Sequence, residues 1–210
     1  MKVWKETYLT TLGFGGEMTR SGKDTRKLHQ VRIIGGQWRG RKLSFTPADG
    51  LRPTGDRIRE TLFNWLAPTI EGARCVDLFT GSGALGLEAL SRGAIHCDFV
   101  DSSNATLSQV SDHLKTLVAV DRGRCHAVSA QQFLQMTTQA YDIVFIDPPF
   151  MQQLVGPICE ALTKKQLLGN DALIYVETGA MEPPAEVPLG WKIHREKVAG
   201  GVAYRLFSVD

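Results

Sequence analysis

Cysteine is scarce in this chain, with Cys75, Cys97, Cys125 and Cys159 far apart and no C-x-x-C pair among them. That spacing argues against a disulfide framework or a zinc site and for reduced core thiols in a cytoplasmic protein. Long uncharged apolar runs are missing, so no membrane-spanning segment is expected. Met1 to Phe14 mixes Lys and Glu with Thr and Gly, which is not the continuous apolar stretch of a secretory signal. The histidines His29, His96, His113, His126 and His194 are scattered without ligand spacing, so no metal is expected. There is neither an internal repeat nor a low-complexity tract. What is present is a chain of 210 residues, 43% of them apolar, enough for one full core with a small appendage.

Charge is close to balanced at +2, yet it is unevenly spread. Residues 1–60 carry 13 Lys and Arg against 6 Asp and Glu, whereas the remainder carries 11 against 16. A basic arm that meets a polyanion accounts for this asymmetry, and a solvated tail is the bland alternative. Residues 1–29 are polar and aperiodic and are expected to be disordered, with Met18 an equally good natural start. Val31 to Phe45 reads as a β-hairpin turning at Gly35-Gly36, with Arg32, Arg39, Arg41 and Lys42 set around Trp38. Arg52-Pro53-Thr54 leads into a helix near Asp56–Leu66, for which Thr54 is the expected N-cap and Ile58, Leu62, Trp65 and Leu66 the apolar face. Residues 30–68 thus form a small hairpin and helix extension ahead of a body at 69–210.

Strands and helices then alternate. Strands are expected at Arg74–Phe79, Ile95–Asp101, Arg124–Val128, Tyr141–Ile146 and Ala172–Glu177. Helices are expected at Ala84–Ser91, Asn104–Val118, Ala130–Thr137 and Leu154–Lys165. Trp191–Val198 and Val202–Val209 make a closing hairpin around Ala199-Gly200-Gly201. The class is α/β, with a seven-stranded, mostly parallel sheet covered on both faces and a C-terminal antiparallel hairpin.

Two segments carry chemistry. Asp77-Leu78-Phe79-Thr80-Gly81-Ser82-Gly83-Ala84-Leu85-Gly86 follows the first strand of the body, where ligands of doubly wound sheets bind. Its glycines let backbone N–H groups approach a ligand, and Asp101 at the next strand end is placed for ribose hydroxyls. The pattern also fits a dinucleotide fingerprint, so a nicotinamide cofactor is the rival, beside a merely structural turn. Asp77 favours S-adenosylmethionine, because a carboxylate there suits an ammonium group and repels a pyrophosphate. Asp147-Pro148-Pro149-Phe150 follows the strand Tyr141–Ile146. Asp147 and the Pro148 carbonyl can accept the two hydrogens of an exocyclic amine, the prolines remove competing donors, and Phe150 offers a stacking face. Together the two segments suggest methyl transfer to a nucleobase nitrogen.

With these residues in view, the chain resembles the RsmD family of bacterial 16S rRNA guanine-N2 methyltransferases over about residues 31–210. The likeness runs through Arg32–Leu43, Leu51–Thr54, Asp56–Leu66, the Gly81 loop, the Asp147 tetrapeptide and His194–Gly200. It departs from the family pattern at Asp101, where Glu is common, and at Ser129, where Asp or Asn is common. The resemblance implies a Rossmann-like class I fold, S-adenosylmethionine as donor, and N2-methylation of guanine 966 on the assembled or nearly assembled small subunit; a monomer is expected. It implies that Arg52 and Thr54 help close the cofactor pocket, that Ser129 and Ala130 lie by the adenine, and that the hairpin meets RNA. Arg39, Arg41 and Lys42 are expected on phosphates, with Trp38 stacking on a base or packing its own hairpin. Phe63 and Trp65 are assigned to helix packing, and Tyr175 and Glu177 to the sheet. A DNA adenine-N6 or cytosine-N4 methyltransferase and a non-catalytic RNA-binding assembly factor are the competing readings.

Overall fold

Phe99-Val100, Ile143–Ile146 and Ala172–Val176 are apolar on consecutive residues, and a strand of that kind is stable only when both of its faces are covered. The computed structural model describes residues 29–46 and 54–209. Of the tail expected over residues 1–29, His29 begins the first strand, while residues 1–28, the alternative start at Met18, and Arg52 lie outside the described residues. In chain order the strands are β1 (His29–Arg32), β2 (Lys42–Phe45), β3 (Arg74–Asp77), β4 (His96–Asp101), β5 (Gly123–Ala127), β6 (Tyr141–Ile146), β7 (Leu168–Gly179), β8 (Trp191–Ala199) and β9 (Val202–Val209). The helices are α1 (Asp56–Leu66), α2 (Ala84–Ser91), α3 (Asn104–Thr116), α4 (Ala130–Met136) and α5 (Val155–Lys164).

Seven strands form one sheet in the order β5-β4-β3-β6-β7-β9-β8. Pairings from β5 to β7 are parallel, and β9 runs antiparallel to both β7 and β8. One face is covered by α1, α2 and α3 through Leu62, Phe63, Leu66, Leu87, Leu90 and Leu107. The other is covered by α4 and α5 through Phe133, Leu134, Ile158 and Leu162. Burial of each such side chain stabilises the fold by roughly 1.5–3 kcal/mol. Among the described residues, no helix is long and apolar enough to cross a membrane. All four cysteines are free thiols, with Cys75 and Cys97 register neighbours on β3 and β4.

The N-terminal hairpin is present as β1 and β2, paired antiparallel, but its second strand is shorter than the sequence suggests. Gly36–Trp38 forms a single 3-10 turn instead of strand. Gly36 has φ of +73°, and a Cβ there would stand 1.9 Å from the Ser91 carbonyl oxygen, so the chain turns in direct contact with the end of α2. The Trp38 N–H donates to Ser91 Oγ at 2.9 Å, and that hydroxyl donates to the Gly35 carbonyl at 2.6 Å. Fully buried Glu88, one turn earlier, accepts the N–H groups of Ile34 and Gly35, each at 2.8 Å, and Arg92 Nε at 2.7 Å. Its carboxylate also faces the buried Arg59 guanidinium at 3.6 Å. The hairpin is therefore bolted to α2 and α1, and Ile33, Trp38 and Leu43 share the core of the body.

Helix α1 spans the expected residues, with Leu62, Phe63 and Leu66 buried and Trp65 packed on Tyr204 at a ring separation of 5.5 Å. Its N-cap differs from expectation. Gly55 occupies that position without a side-chain cap, because the Thr54 hydroxyl is engaged elsewhere. Strand β7 begins at Leu168, ahead of the expected Ala172, since Leu168 pairs with Tyr141 across a bulge.

Candidate active site

The chain leaves β3 in one direction across the sheet toward β4 and β5, then returns to the opposite side of β3 with β6. This reversal opens a crevice at the carboxyl ends of β3 and β6, where ligands of such sheets bind. Both expected segments lie there.

The glycine loop is pinned from both sides. Thr80 N–H donates to the Val100 carbonyl at 3.0 Å, and its hydroxyl donates to the Asp77 carbonyl at 3.0 Å. Asp101 accepts the Gly81 N–H at 3.0 Å and the Ser103 N–H at 2.8 Å, so the acid at the tip of β4 holds the loop as well as facing the crevice. A Cβ on Gly86 would come within 2.3 Å of the Phe99 ring, so this glycine lets α2 lie against β4. Ser82 is buried, Gly83 caps α2, and Phe79 is half-buried against the second core.

Asp77 is fully buried. One oxygen accepts the Gly86 N–H at 3.1 Å, and the other has no hydrogen-bond partner among the described residues. Burial pushes its carboxyl up to about 7, with the charge of Asp101 adding to the rise and the Gly86 and Phe79 backbone N–H groups opposing it. A buried acceptor left unpaired is costly, and a ligand ammonium placed against it would remove that cost. The residues thus fit S-adenosylmethionine, which carries an ammonium group. Since the folded value lies above the ordinary 3.8, Asp77 favours the apo fold most below that range, and this contribution is lost as pH rises through 7. Cation binding has the opposite dependence, because it needs the carboxylate. Asp77→Asn is expected to weaken S-adenosylmethionine binding by about 10- to 100-fold, the worth of one charge-assisted bond. Titration calorimetry at pH 6 and pH 8 is the check: wild-type affinity should rise with pH, and the variant should show no such rise.

Asp147 stands half-buried at the tip of β6. The Thr54 hydroxyl donates to its Oδ2 at 2.9 Å, tying the segment before α1 to this carboxylate across 93 residues. Burial, then the nearby charge of Glu177, hold the Asp147 carboxyl well above the usual carboxylate range, and the Thr54 bond opposes them. Pro148, Pro149 and Phe150 line a cavity of about 410 Å³ together with Glu177 and Thr178. Phe150 is 42% exposed, so its ring is free to meet a base. Sequence alone assigns Glu177 only to the sheet. The residue is also buried at the wall of this cavity, and the signal for it is an acid directly after the apolar run Ala172–Val176, as Asp147 comes directly after Ile143–Ile146.

The other expected positions lie on α4 and on the N-terminal hairpin. Ser129 caps α4 in a capping box with Gln132, its hydroxyl accepting the Gln132 N–H at 3.2 Å, and Ala130 is buried. Trp38 is 7% exposed, with the Arg122 guanidinium 5.5 Å over its ring, so it braces the hairpin and offers no stacking face. Arg39, Arg41 and Lys42 are exposed on that hairpin, and Arg32 faces Asp56 at 3.5 Å.

A glycine loop after the first strand of the body, an acid closing the second, and Asp-Pro-Pro-Phe on the fourth of a seven-stranded sheet define a Rossmann-like class I methyltransferase fold. Comparison with known proteins narrows this. The family described as Conserved hypothetical protein 95 matches residues 31–208, and the chain belongs to that family, the RsmD family. It is 50% identical to Ribosomal RNA small subunit methyltransferase D of Escherichia coli (strain K12) over 179 residues, covering 85% of this chain and 90% of that one. The protein of the same name from Haemophilus influenzae is 42% identical, covering 85% and 94%. The solved structure of yhhF from Escherichia coli superposes with a TM-score of 0.80 at 47% identity, covering 87% of this chain and 99% of that one.

Proposed function

We propose that this chain methylates the exocyclic N2 amine of guanine 966 in 16S rRNA, using S-adenosylmethionine. It acts as a cytoplasmic monomer on the assembled or nearly assembled small subunit. The observation that carries the reading is the placement of Asp147, directly after β6, and Asp77, the last residue of the adjacent parallel strand β3, with the Leu78 N–H joined to the Phe145 carbonyl at 3.1 Å. A group held at Asp77 and an amine held at Asp147 are then neighbours. The family membership supports ribosomal RNA as the substrate.

S-adenosylmethionine, held at Asp77, the Gly81 loop and Asp101, supplies an electrophilic methyl group. The protein's own residues prepare the amine. The lone pair of a guanine amine is delocalised into the ring, so the nitrogen must become more tetrahedral before it attacks. Asp147 accepts one amine hydrogen and the Pro148 carbonyl the other, which stabilises the positive charge developing on nitrogen. Thr54 fixes one carboxylate oxygen, so that the other faces the substrate. Phe150 stacks on the base after it leaves its helix, an unstacking that costs about a few kcal/mol.

The direct test is mass spectrometry of rRNA nucleosides from cells with and without the gene. Loss of N2-methylguanine from 16S rRNA is expected, and unchanged nucleosides would end the reading. Tritiated donor added to rRNA and to DNA separates it from a DNA amine methyltransferase. Arg39 and Arg41 are the expected phosphate ligands. Replacing both by Ala should weaken binding to small subunits and flatten its salt dependence by roughly one unit of slope for each phosphate that is no longer neutralised. A filter-binding series across salt concentrations that leaves the slope unchanged would take the hairpin out of the interface.

A further inference from the structure

Phe150 is aimed by the chain on either side of it. Pro148 and Pro149 have fixed φ on the approach, but beyond the ring the backbone turns through Met151, with φ of +65°, and Gln153, with φ of +51°. Neither residue is a glycine, and a Cβ disfavours this left-handed region, so a loop that holds two such residues needs an outside restraint. A restraint acts at the first of them. Glu182, in the turn after β7, reaches across and its Oε1 accepts the Met151 N–H at 3.0 Å. Glu182 and Phe150 line the same cavity from two different loops.

The turn that carries Glu182 is itself anchored. The Glu182 N–H donates to the Gly179 carbonyl at 3.0 Å, and the Ala180 N–H donates to the Gly201 carbonyl of the β8–β9 hairpin at 2.9 Å. A Cβ on Gly179 would stand 2.9 Å from Glu182 Oε1, so the bare glycine leaves the carboxylate room to reach Met151. An acid at the mouth of a site that admits RNA repels phosphates, and its place there is explained by the bond it makes. Relaxation of Met151 into the ordinary backbone region would redirect the chain just after Phe150 and carry the ring with it. Resting on the reading above that Phe150 stacks on the target base, we propose that Glu182 is a positioning residue for RNA methylation. By holding the Met151 N–H it keeps the Phe150 ring where the unstacked base enters. A carboxylate bonded to a backbone N–H is a strong, charge-assisted acceptor, suited to hold a loop in place before substrate arrives.

The test is steady-state methylation of small subunits by the wild type, Glu182→Ala, Glu182→Gln, Phe150→Ala and the variant with both Ala substitutions. Phe150→Ala should raise KM by about 10- to 100-fold, the worth of one base–aromatic stack. Glu182→Ala should raise KM by about tenfold with kcat little changed, since the ring is present but misplaced. Glu182→Gln keeps an acceptor oxygen for Met151 and should stay within about threefold of wild type. The two losses should not add. The double variant should match Phe150→Ala alone, because a restraint on an absent ring has nothing left to hold. Affinity for S-adenosylmethionine should be the same throughout, which a misfolded variant would not show. Losses that multiply in the double variant, or a Glu182→Gln enzyme as impaired as Glu182→Ala, would overturn the proposal. So would a Met151 amide that exchanges its hydrogen equally fast in wild type and Glu182→Ala, a measurement that needs no substrate. A wild-type enzyme that methylates no base of the small subunit would instead remove the rRNA reading, and the positioning role with it.

Discussion

Asp147→Ala is expected to lower turnover by about 10²- to 10⁴-fold, the range for positioned groups that handle a proton or a developing charge. The loss should fall on kcat, since the amine is held by the carboxylate most strongly when charge develops on nitrogen. Asp147→Asn separates geometry from charge. It keeps an acceptor oxygen for Thr54 but cannot stabilise the cationic amine as well. The pH dependence follows from the raised Asp147 carboxyl. As pH falls the protonated acid no longer accepts the amine hydrogen, so wild-type kcat should climb with pH along an acid limb that Asp147→Asn lacks. Folding should be spared, because burial and then the charge of Glu177 both oppose the ionised form of this half-buried acid. Single-turnover methylation rates measured from pH 5.5 to 8.5 are the check, and a near-normal rate in the Ala variant would take Asp147 out of the chemistry.

Glu88→Ala is expected to have the largest effect on stability, roughly 3–5 kcal/mol, the cost of breaking a buried ion pair by removing one partner. The carboxylate is fully buried and faces Arg59, itself 1% exposed, while also accepting two hairpin N–H groups and Arg92. Without it, among the described residues Arg59 keeps Asp56 and the carbonyls of Thr54 and Arg32, and the Ile34 and Gly35 donors are stranded against α2. Glu88→Gln, which keeps one acceptor oxygen, should cost less. Urea unfolding followed by circular dichroism should show a lower midpoint with little change in slope, the signature of reduced stability with an unchanged unfolded state. A midpoint close to wild type would mean that the hairpin is held by its apolar contacts alone.

Periodicity makes much of this fold legible. Helix α1, helix α2 and strand β6 have the bounds their apolar patterns imply, because each buries one stripe or both faces against the same core. The glycine loop and the Asp147 tetrapeptide are readable for a similar reason, as short contiguous segments whose chemistry does not depend on distant residues. What stays hidden lies in long-range contacts. Thr54 has the local chemistry of a helix cap, and a carboxylate 93 residues away claims its hydroxyl instead. Trp38 among arginines resembles a nucleic-acid platform, yet α2 and Arg122 enclose it. Glu177 belongs to the sheet by its pattern, and only strand register sets it beside Asp147. The expected ligand role of Ser129 meets the competing claim of its own helix.

The four thiols give the molecule a built-in clock for its own opening. Cys75, Cys97 and Cys159 are buried with burial holding each thiol up, Cys159 to about 12, so none presents a thiolate to an alkylating reagent while the sheet is intact. Cys125 is half-buried on β5, the strand at the sheet's outer margin. Under pulsed alkylation it should be modified first, recording fraying of that margin, whereas the other three should react together and only when the whole domain comes apart.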